Sequence, residues 1–362
     1  MKQRYKRLAV LLLAVVMLAT TASFTGTVAA ESLNLDKKCS LTVNVGKHTG
    51  LTGTDLFIDV IKIADAVKLT GFNTYTFKAV ARYESFQSTM DDLQSNDEWA
   101  ALAQSIAAVA LADGNWDESA GGNYIGRAIS NLTPGLYLVV PHEENDRSTQ
   151  KGTHTDGSTY VSTSYNTERF TYTFNPSLVS LPARGADAGA ETPGDEDSWS
   201  YNVGINLKAE QDNRMGKLVI QKTLRNYEVG RPATFVFRIE AELPKMKDGQ
   251  PVLVNGKQQM ETVYSNVVTI TLENAGTVEK EIPNIPVGAT VTVTEVYSGA
   301  CYELVSENDQ VITISAEMVA SVEFVNEYNE SMNNGGGITN SFTFDGESWT
   351  LEKIPFGSSS DS

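Results

Sequence analysis

Cysteine, histidine and positive charge are scarce in this chain of 362 residues: two Cys, three His, and 28 Lys and Arg against 45 Asp and Glu. With only Cys39 and Cys301, and a chain this long, a small disulfide-stapled scaffold is excluded. Sequence alone leaves open a bridge between them or two unpaired thiols. His48, His142 and His154 are scattered, with no HExxH spacing and no paired cysteines, so no metal or other cofactor is expected. There is no GxSxG elbow and no Walker-type loop, and Gly335–Gly337 reads as linker rather than phosphate cradle. Acidic pairs such as Asp91-Asp92 read as solvated caps, although two carboxylates facing a glycosidase cleft are not ruled out by sequence. A net charge of -17 argues against nucleic acid, whose phosphates need clustered Lys and Arg. Beyond residue 30 no apolar run is long enough to span a bilayer.

What is present begins with an export pattern. Lys2, Arg4, Lys6 and Arg7 precede the apolar run Leu8–Ala19, and Val28-Ala29-Ala30 offers small residues for cleavage before Glu31. Residues 1–30 are therefore expected to be a signal peptide. A lipoprotein is excluded because Cys39 follows LDKK, well past the apolar run. The mature chain is expected to be secreted, extracellular or associated with the cell surface.

The next region, 31–212, reads as β-rich with one inserted helix. CSLTVNV from Cys39 and LFIDVIKI from Leu56 are dominated by β-branched residues and bounded by Gly, Asn and Thr. Between Ser95 and Leu111 the period changes: Trp99, Leu102, Ala103, Ile106, Val109 and Ala110 fall at helical spacing, and Ser95 with Glu98 forms a capping box. Such a helix covers an open side of a sheet, with Trp99 in the core. Glu143–Tyr165 is polar and reads as a long exposed loop or hairpin. ARGADAGAETPGDED from Ala183 is a flexible connection, after which Trp199, Tyr201, Val203, Ile205 and Leu207 alternate onto one face and lead to Lys208.

Residues 217–328 read as an all-β sandwich of about seven short strands, with Asp248-Gly249 and Asn255-Gly256 as hairpin turns. Residues 329–337 form a Gly-rich linker, and 338–362 a hairpin turning near Asp345-Gly346 with a short tail. The fold class expected is mainly β.

Strand parity singles out three polar side chains. Lys222 follows Leu218 and Ile220 on one face, Glu295 follows Val291 and Val293, and Asn326 follows Val322 and Phe324. Were all three buried together, desolvation would favour a neutral amine and a protonated acid. Lys222 would then attack the Asn326 side-chain carbonyl, with Glu295 polarising it and relaying protons, and ammonia would leave. Parity leaves equal room for three side chains sitting at wet sheet rims, because it does not specify strand pairing.

KLVIQK, IPVGATVTVTE and VEFVNEY, in that order, resemble the Cna B-type, prealbumin-like domains of Gram-positive surface proteins. The resemblance implies an intramolecular isopeptide bond formed by Lys222, Glu295 and Asn326. LFIDVIKIADA, the helix after DLQS, NLTPGLYLVV, and NPSLVSLP followed by WSYNV resemble the N-terminal domain of Gram-positive pilin-like subunits. In that family a Pro-Lys motif supplies the lysine that sortase joins to the next subunit. Lys208 stands at the matching place, but Leu207 occupies the proline position, so an intermolecular linkage lysine and an ordinary exposed lysine are both open. The C-terminal LEKIPFGSSSDS carries no LPxTG-like anchor signal, so wall anchoring through it is not expected.

The reading is thus a non-enzymatic, secreted, pilin-like structural or adhesive protein whose only chemistry is directed at itself. Other pilin subunits and sortase are its implied partners. The alternatives are a secreted binding module for a glycan or host matrix protein, using the Glu143–Tyr165 loop or the Trp349 hairpin, and an extracellular hydrolase.

Overall fold

Alternating β-branched runs broken by turn residues leave the chain little choice but strands, and the computed structural model is mainly β. It describes residues 32–112, 116–153, 159–184, 199–227, 232–247, 250–299, 301–329 and 338–355. The signal segment 1–30, most of the expected 183–197 connection, and linker residues 330–337 lie outside the described residues. The chain divides into two compact units, residues 1–167 with 171–211, and residues 168–170 with 212–362.

In the first unit the apolar strand Leu56–Lys68 is central. It pairs with Gly135–Glu143 and Tyr75–Ala79 on its two sides and also with Gly121–Tyr124, and Ser177–Leu181 extends the sheet beyond Gly135–Glu143. A second sheet of three strands runs Asn202–Asn206, Cys39–Asn44, Ala128–Leu132. There the first and last strands of the unit lie in parallel, Ser40 opposite Asn202 and Asn44 opposite Asn206. The helix Asn96–Ala110 starts at the expected capping box, Ser95 accepting from the Glu98 N–H and Glu98 returning to the Ser95 N–H. Its Leu102, Ala103, Ile106, Ala107 and Ala110 are buried, and Leu102, Ile106, Ala107 and Ala110 pack with Ile61, Ile63, Leu136, Leu138 and Val161 into one core.

Several expectations for this unit need correction. Trp99 is half-buried at the core's margin, edge-on to Phe77 at 6.2 Å, rather than fully inside. A second helix, Gln87–Asp92, adds to the one expected; six residues are too few to show a helical period. The stretch expected to be exposed holds a hairpin, Gln150–Thr153 with Thr159–Asn166, whose second strand buries Val161, Ser162, Thr163 and Tyr165. Two of its hydroxyls are satisfied internally, Thr163 donating to the Pro141 carbonyl and Tyr165 to Asp55, whereas the buried Ser162 Oγ has no hydrogen-bond partner among the described residues. Polar composition therefore misreads a strand some of whose hydroxyls find partners inside the protein. No disulfide joins Cys39 and Cys301, which fall in different units.

The second unit contains two sheets of four strands. One runs Gly276–Pro286, Met215–Leu224, Ala320–Tyr328, Tyr302–Leu304, and the other Met260–Leu272, Ala233–Pro244, Thr290–Tyr297, Asp309–Thr313. The Tyr302–Leu304 strand, three residues long, has no readable alternation in the sequence. Leu218, Ile220, Val322 and Phe324 from the first sheet and Phe235, Phe237, Ile239, Val291 and Val293 from the second belong to one buried core. Between Leu253–Val254 and Lys257–Gln258 the turn residues Asn255 and Gly256 take φ of 53° and 76°, the left-handed pair that an Asn-Gly hairpin turn requires. Ile338–Phe344 and Trp349–Pro355 form an antiparallel hairpin around Asp345-Gly346.

Candidate functional site

The strand Met215–Leu224 alternates buried and outward residues so that Leu218, Ile220, Lys222 and Leu224 all point into the sandwich. Ala320–Tyr328 runs beside it in parallel, with Ile220 opposite Val322, Lys222 opposite Phe324, and Leu224 opposite Asn326. Lys222 and Asn326 are thus diagonal neighbours on one face of one sheet. Glu295 comes from the facing sheet, on Thr290–Tyr297, opposite Phe237. The three residues expected from parity therefore meet across the core.

All three are sealed from solvent, with exposures of 0% for Lys222, 5% for Glu295 and 0% for Asn326. Lys222 Nζ donates to Glu295 Oε2 at 2.7 Å and to Asn326 Oδ1, and Asn326 Nδ2 donates to Glu295 Oε1 at 2.7 Å. One carboxylate therefore touches the amine with one oxygen and the amide nitrogen with the other. Burial pushes the Lys222 amine down to about 8, and the adjacent Glu295 carboxylate offsets only part of that shift. The amine also lies over the Phe235 ring at 4.1 Å, with Phe237 at 5.8 Å and the Phe237 and Phe324 rings 5.0 Å apart. Sequence reading did not single out this aromatic wall, although Phe235 and Phe237 share the inward parity of their strand. The other nearby amide, Asn329, donates to Glu303 at 2.7 Å.

Such a cluster can do one piece of chemistry with the atoms present. An amine whose pKa is lowered by desolvation, and which therefore gives up its proton far more readily than an ordinary lysine, sits against an amide, and a carboxylate bridges the group that must lose a proton and the group that must gain one. Among the described residues there is no group of three or more His, Cys, Asp or Glu placed to hold a metal ion. Nor is any helix there long and apolar enough to cross a membrane.

Lys208 is exposed and follows the strand Asn202–Asn206 directly, in the first unit. Partial burial, with Lys47 nearby, lowers its pKa from the usual lysine value. The same unit holds a buried polar cluster that the sequence reading missed. Asp59, 4% exposed within the central strand, accepts from Ser119 at 2.8 Å, His142 Nε2 at 3.1 Å and Arg147 at 3.1 Å. Burial alone would raise the Asp59 pKa. The hydrogen bonds from His142 and Ser119, with the charges of His142 and Arg147, outweigh it and hold the carboxyl below its usual range. The available signal was an aspartate inside an apolar run, LFIDVIKI.

A family profile described as a domain of unknown function, DUF7601, matches residues 216–328. No curated protein matches the chain. Among solved structures, the minor pilin GBS52 of Streptococcus agalactiae is similar at 10% identity and a TM-score of 0.21, over 80% of this chain and 95% of that one. A Mobiluncus mulieris adhesin containing intramolecular disulfide, isopeptide and ester cross-links is similar at 15% identity and a TM-score of 0.23, over 54% of this chain and 77% of the other. The T-13 major pilin of Streptococcus pyogenes is similar at 11% identity and a TM-score of 0.19, over 83% and 98%. These are pilins and adhesins. At such identities and TM-scores each is a likeness and assigns no residue role here.

Proposed function

We propose that this chain is a pilin-like, adhesive or structural surface subunit whose second unit is closed by an isopeptide bond between Lys222 and Asn326. The observation that carries the proposal is the sealed triad, in which Glu295 bridges the amine and the amide nitrogen at 2.7 Å each. Glu295 Oε2 takes a proton from Lys222, and the neutral Nζ attacks Cγ of Asn326. As the new N–C bond forms and the Cγ–Nδ2 bond breaks, Glu295 delivers that proton to Nδ2, which leaves as ammonia, and the carboxylate takes up the second proton that Nζ sheds on becoming the amide nitrogen. Because its contact is with the amide nitrogen, Glu295 acts here as the proton relay rather than as the group that polarises the carbonyl. The dry core lowers the amine's pKa, which makes that proton easier to remove.

The bond would tie the first strand of the sandwich to its last, across a separation of 104 residues. Those strands lie in parallel, so tension applied at the start of one and the end of the other shears them past each other. A covalent bond between them carries that load in place of ladder hydrogen bonds. A subunit built this way suits an extracellular fibre or adhesin, and the basic and apolar pattern of Met1–Ala30 supplies a route of export. Lys208, exposed on the first unit, would be the amine through which a sortase joins this chain to another subunit.

Intact mass of the purified chain tests the central claim. The expected result is a deficit of one ammonia, with a Lys222–Asn326 branched peptide after proteolysis and no deficit in Lys222→Ala, Glu295→Ala or Asn326→Ala. A wild-type mass equal to that of the unmodified chain refutes the bond.

A further inference from the structure

The lysine proposed for linkage has both of its chain neighbours tied down. The Leu207 N–H donates to the Asn44 carbonyl at 2.7 Å, continuing the parallel pairing of the first and last strands one residue past its end. On the other side the Ala209 N–H donates to His48 Nε2 at 3.3 Å. Leu207 is buried and Lys208 exposed, so the backbone is pinned on each side of one outward-pointing amine.

His48 is well placed to serve as a fixed acceptor. It is 5% exposed, edge-on to the Tyr172 ring at 5.8 Å, and set in a turn where its N–H donates to Val45 and its carbonyl accepts from Leu51, each at 3.0 Å. The turn lies tightly against the lysine's strand. Gly46 has φ +57°, and a Cβ there would stand 3.2 Å from the Asn206 side chain. To accept at Nε2 the ring must be neutral with its proton on Nδ1, and burial, which lowers the His48 pKa, favours that state.

We infer that His48 is a positioning residue for Lys208, and that His48 with the Leu207 N–H forms a two-point clamp replacing the proline of a Pro-Lys motif. The inference rests on the reading of Lys208 as the linkage lysine. A proline restrains one backbone angle but has no N–H. Leucine at 207 keeps the N–H that bonds Asn44, so the backbone is held by hydrogen bonds on both sides rather than by a ring on one. The reaction served is aminolysis: an amide forms between Lys208 Nζ and an activated peptide carbonyl, while the enzyme's thiol leaves with the proton shed by the amine. A pinned backbone reduces the orientations that the amine must search before attack.

The test incubates the full chain with a pilus-type sortase and a sorting-signal peptide, and follows adduct mass and the site of attachment. Wild type and His48→Gln, whose side-chain oxygen can also accept, are expected to link at Lys208 at similar rates. His48→Leu is expected to link about tenfold more slowly, with hydrogen exchange at the Ala209 amide faster by a similar factor, which is the scale of one lost hydrogen bond. Leu207→Pro, although it restores the motif, is expected to slow linkage too, and it keeps the test decisive if His48→Leu fails to fold. Equal rates in wild type, His48→Leu and Leu207→Pro overturn the clamp while leaving the linkage reading intact. No adduct at Lys208 in wild type overturns the linkage reading and the inference with it.

Discussion

Both units close in the same way and secure that closure differently. In each, an early strand lies beside a late one in parallel, Cys39–Asn44 with Asn202–Asn206 and, in the sandwich of the second unit, Met215–Leu224 with Ala320–Tyr328. The second unit places a lysine and an asparagine as neighbours on those two strands, with a glutamate from the facing sheet between them. In the first unit, the closing strands carry Leu41, Val43, Val203 and Ile205 into the core. Its buried charge lies elsewhere, at Asp59, and is spread over Ser119, His142 and Arg147. A buried charge already satisfied by several donors is a structural anchor. An amine and an amide sharing one carboxylate in a dry core are poised to react. The contrast teaches that the partner set, more than burial, separates an anchor from a reactive centre.

The strongest way to break the comparison is to remove the proposed covalent closure. Lys222→Ala or Asn326→Ala should destabilise the second unit by about 4 to 5 kcal/mol, the closure entropy of a loop of roughly 100 residues. Measured by hydrogen exchange, protection should fall throughout residues 215–328, while the Cys39–Asn44 and Asn202–Asn206 strands stay as they were. An equal loss in both units would show that their stabilities are not separately secured.

The first unit's anchor gives the next largest effect. Asp59→Asn should cost about 3 kcal/mol, because His142 and Arg147 lose the carboxylate they share. Both units gain stability as pH rises, but in different windows, one acidic and one alkaline. The Asp59 carboxyl titrates below its usual 3.8 in the folded state, so its stabilisation is complete above that value and is lost as pH falls through the folded value. Lys222 in an uncrosslinked Asn326→Ala chain titrates near 8 instead of 10.5. The folded state there binds fewer protons than the unfolded one, so the second unit should gain stability as pH rises between those values. Denaturant melts of the wild type beside Asp59→Asn, and of Asn326→Ala, across pH check both signs, and a second unit that weakens over the alkaline window would contradict the lowered Lys222 pKa.

The smallest effect belongs to local structure. Ser95→Ala removes the helix cap and should cost the first unit about 1 kcal/mol, with fraying of Asn96–Glu98 seen by hydrogen exchange and nothing changed in the second unit.

How far the site was legible in sequence follows from which physics is local. Strand alternation has a period of two, so Leu218, Ile220 and Lys222 share a face wherever the strand lies, and the placing of Lys222, Glu295 and Asn326 each on an apolar face could be read directly, though not whether that end of the face is dry. The helix was equally legible, since its cap and its apolar period are contained within Ser95–Ala110. By contrast, the Asp59 partners lie 60 to 88 residues away along the chain, and nothing near Asp59 announces them. Neither does a polar run such as Thr159–Asn166 reveal that some of its hydroxyls will find acceptors inside.

By itself, then, the sequence determined the β-rich character, the helix and its start, and the apolar face on which each of the three key side chains lies, because these depend on neighbours a few residues apart. Only the tertiary structure decided that the Lys222 and Asn326 strands are adjacent and parallel. It also decided that Glu295 arrives from the opposite sheet to touch both, and that His48 reaches the backbone beside Lys208. Pairing and register are settled by packing between distant segments, and that packing turns three inward-facing polar residues into a single site.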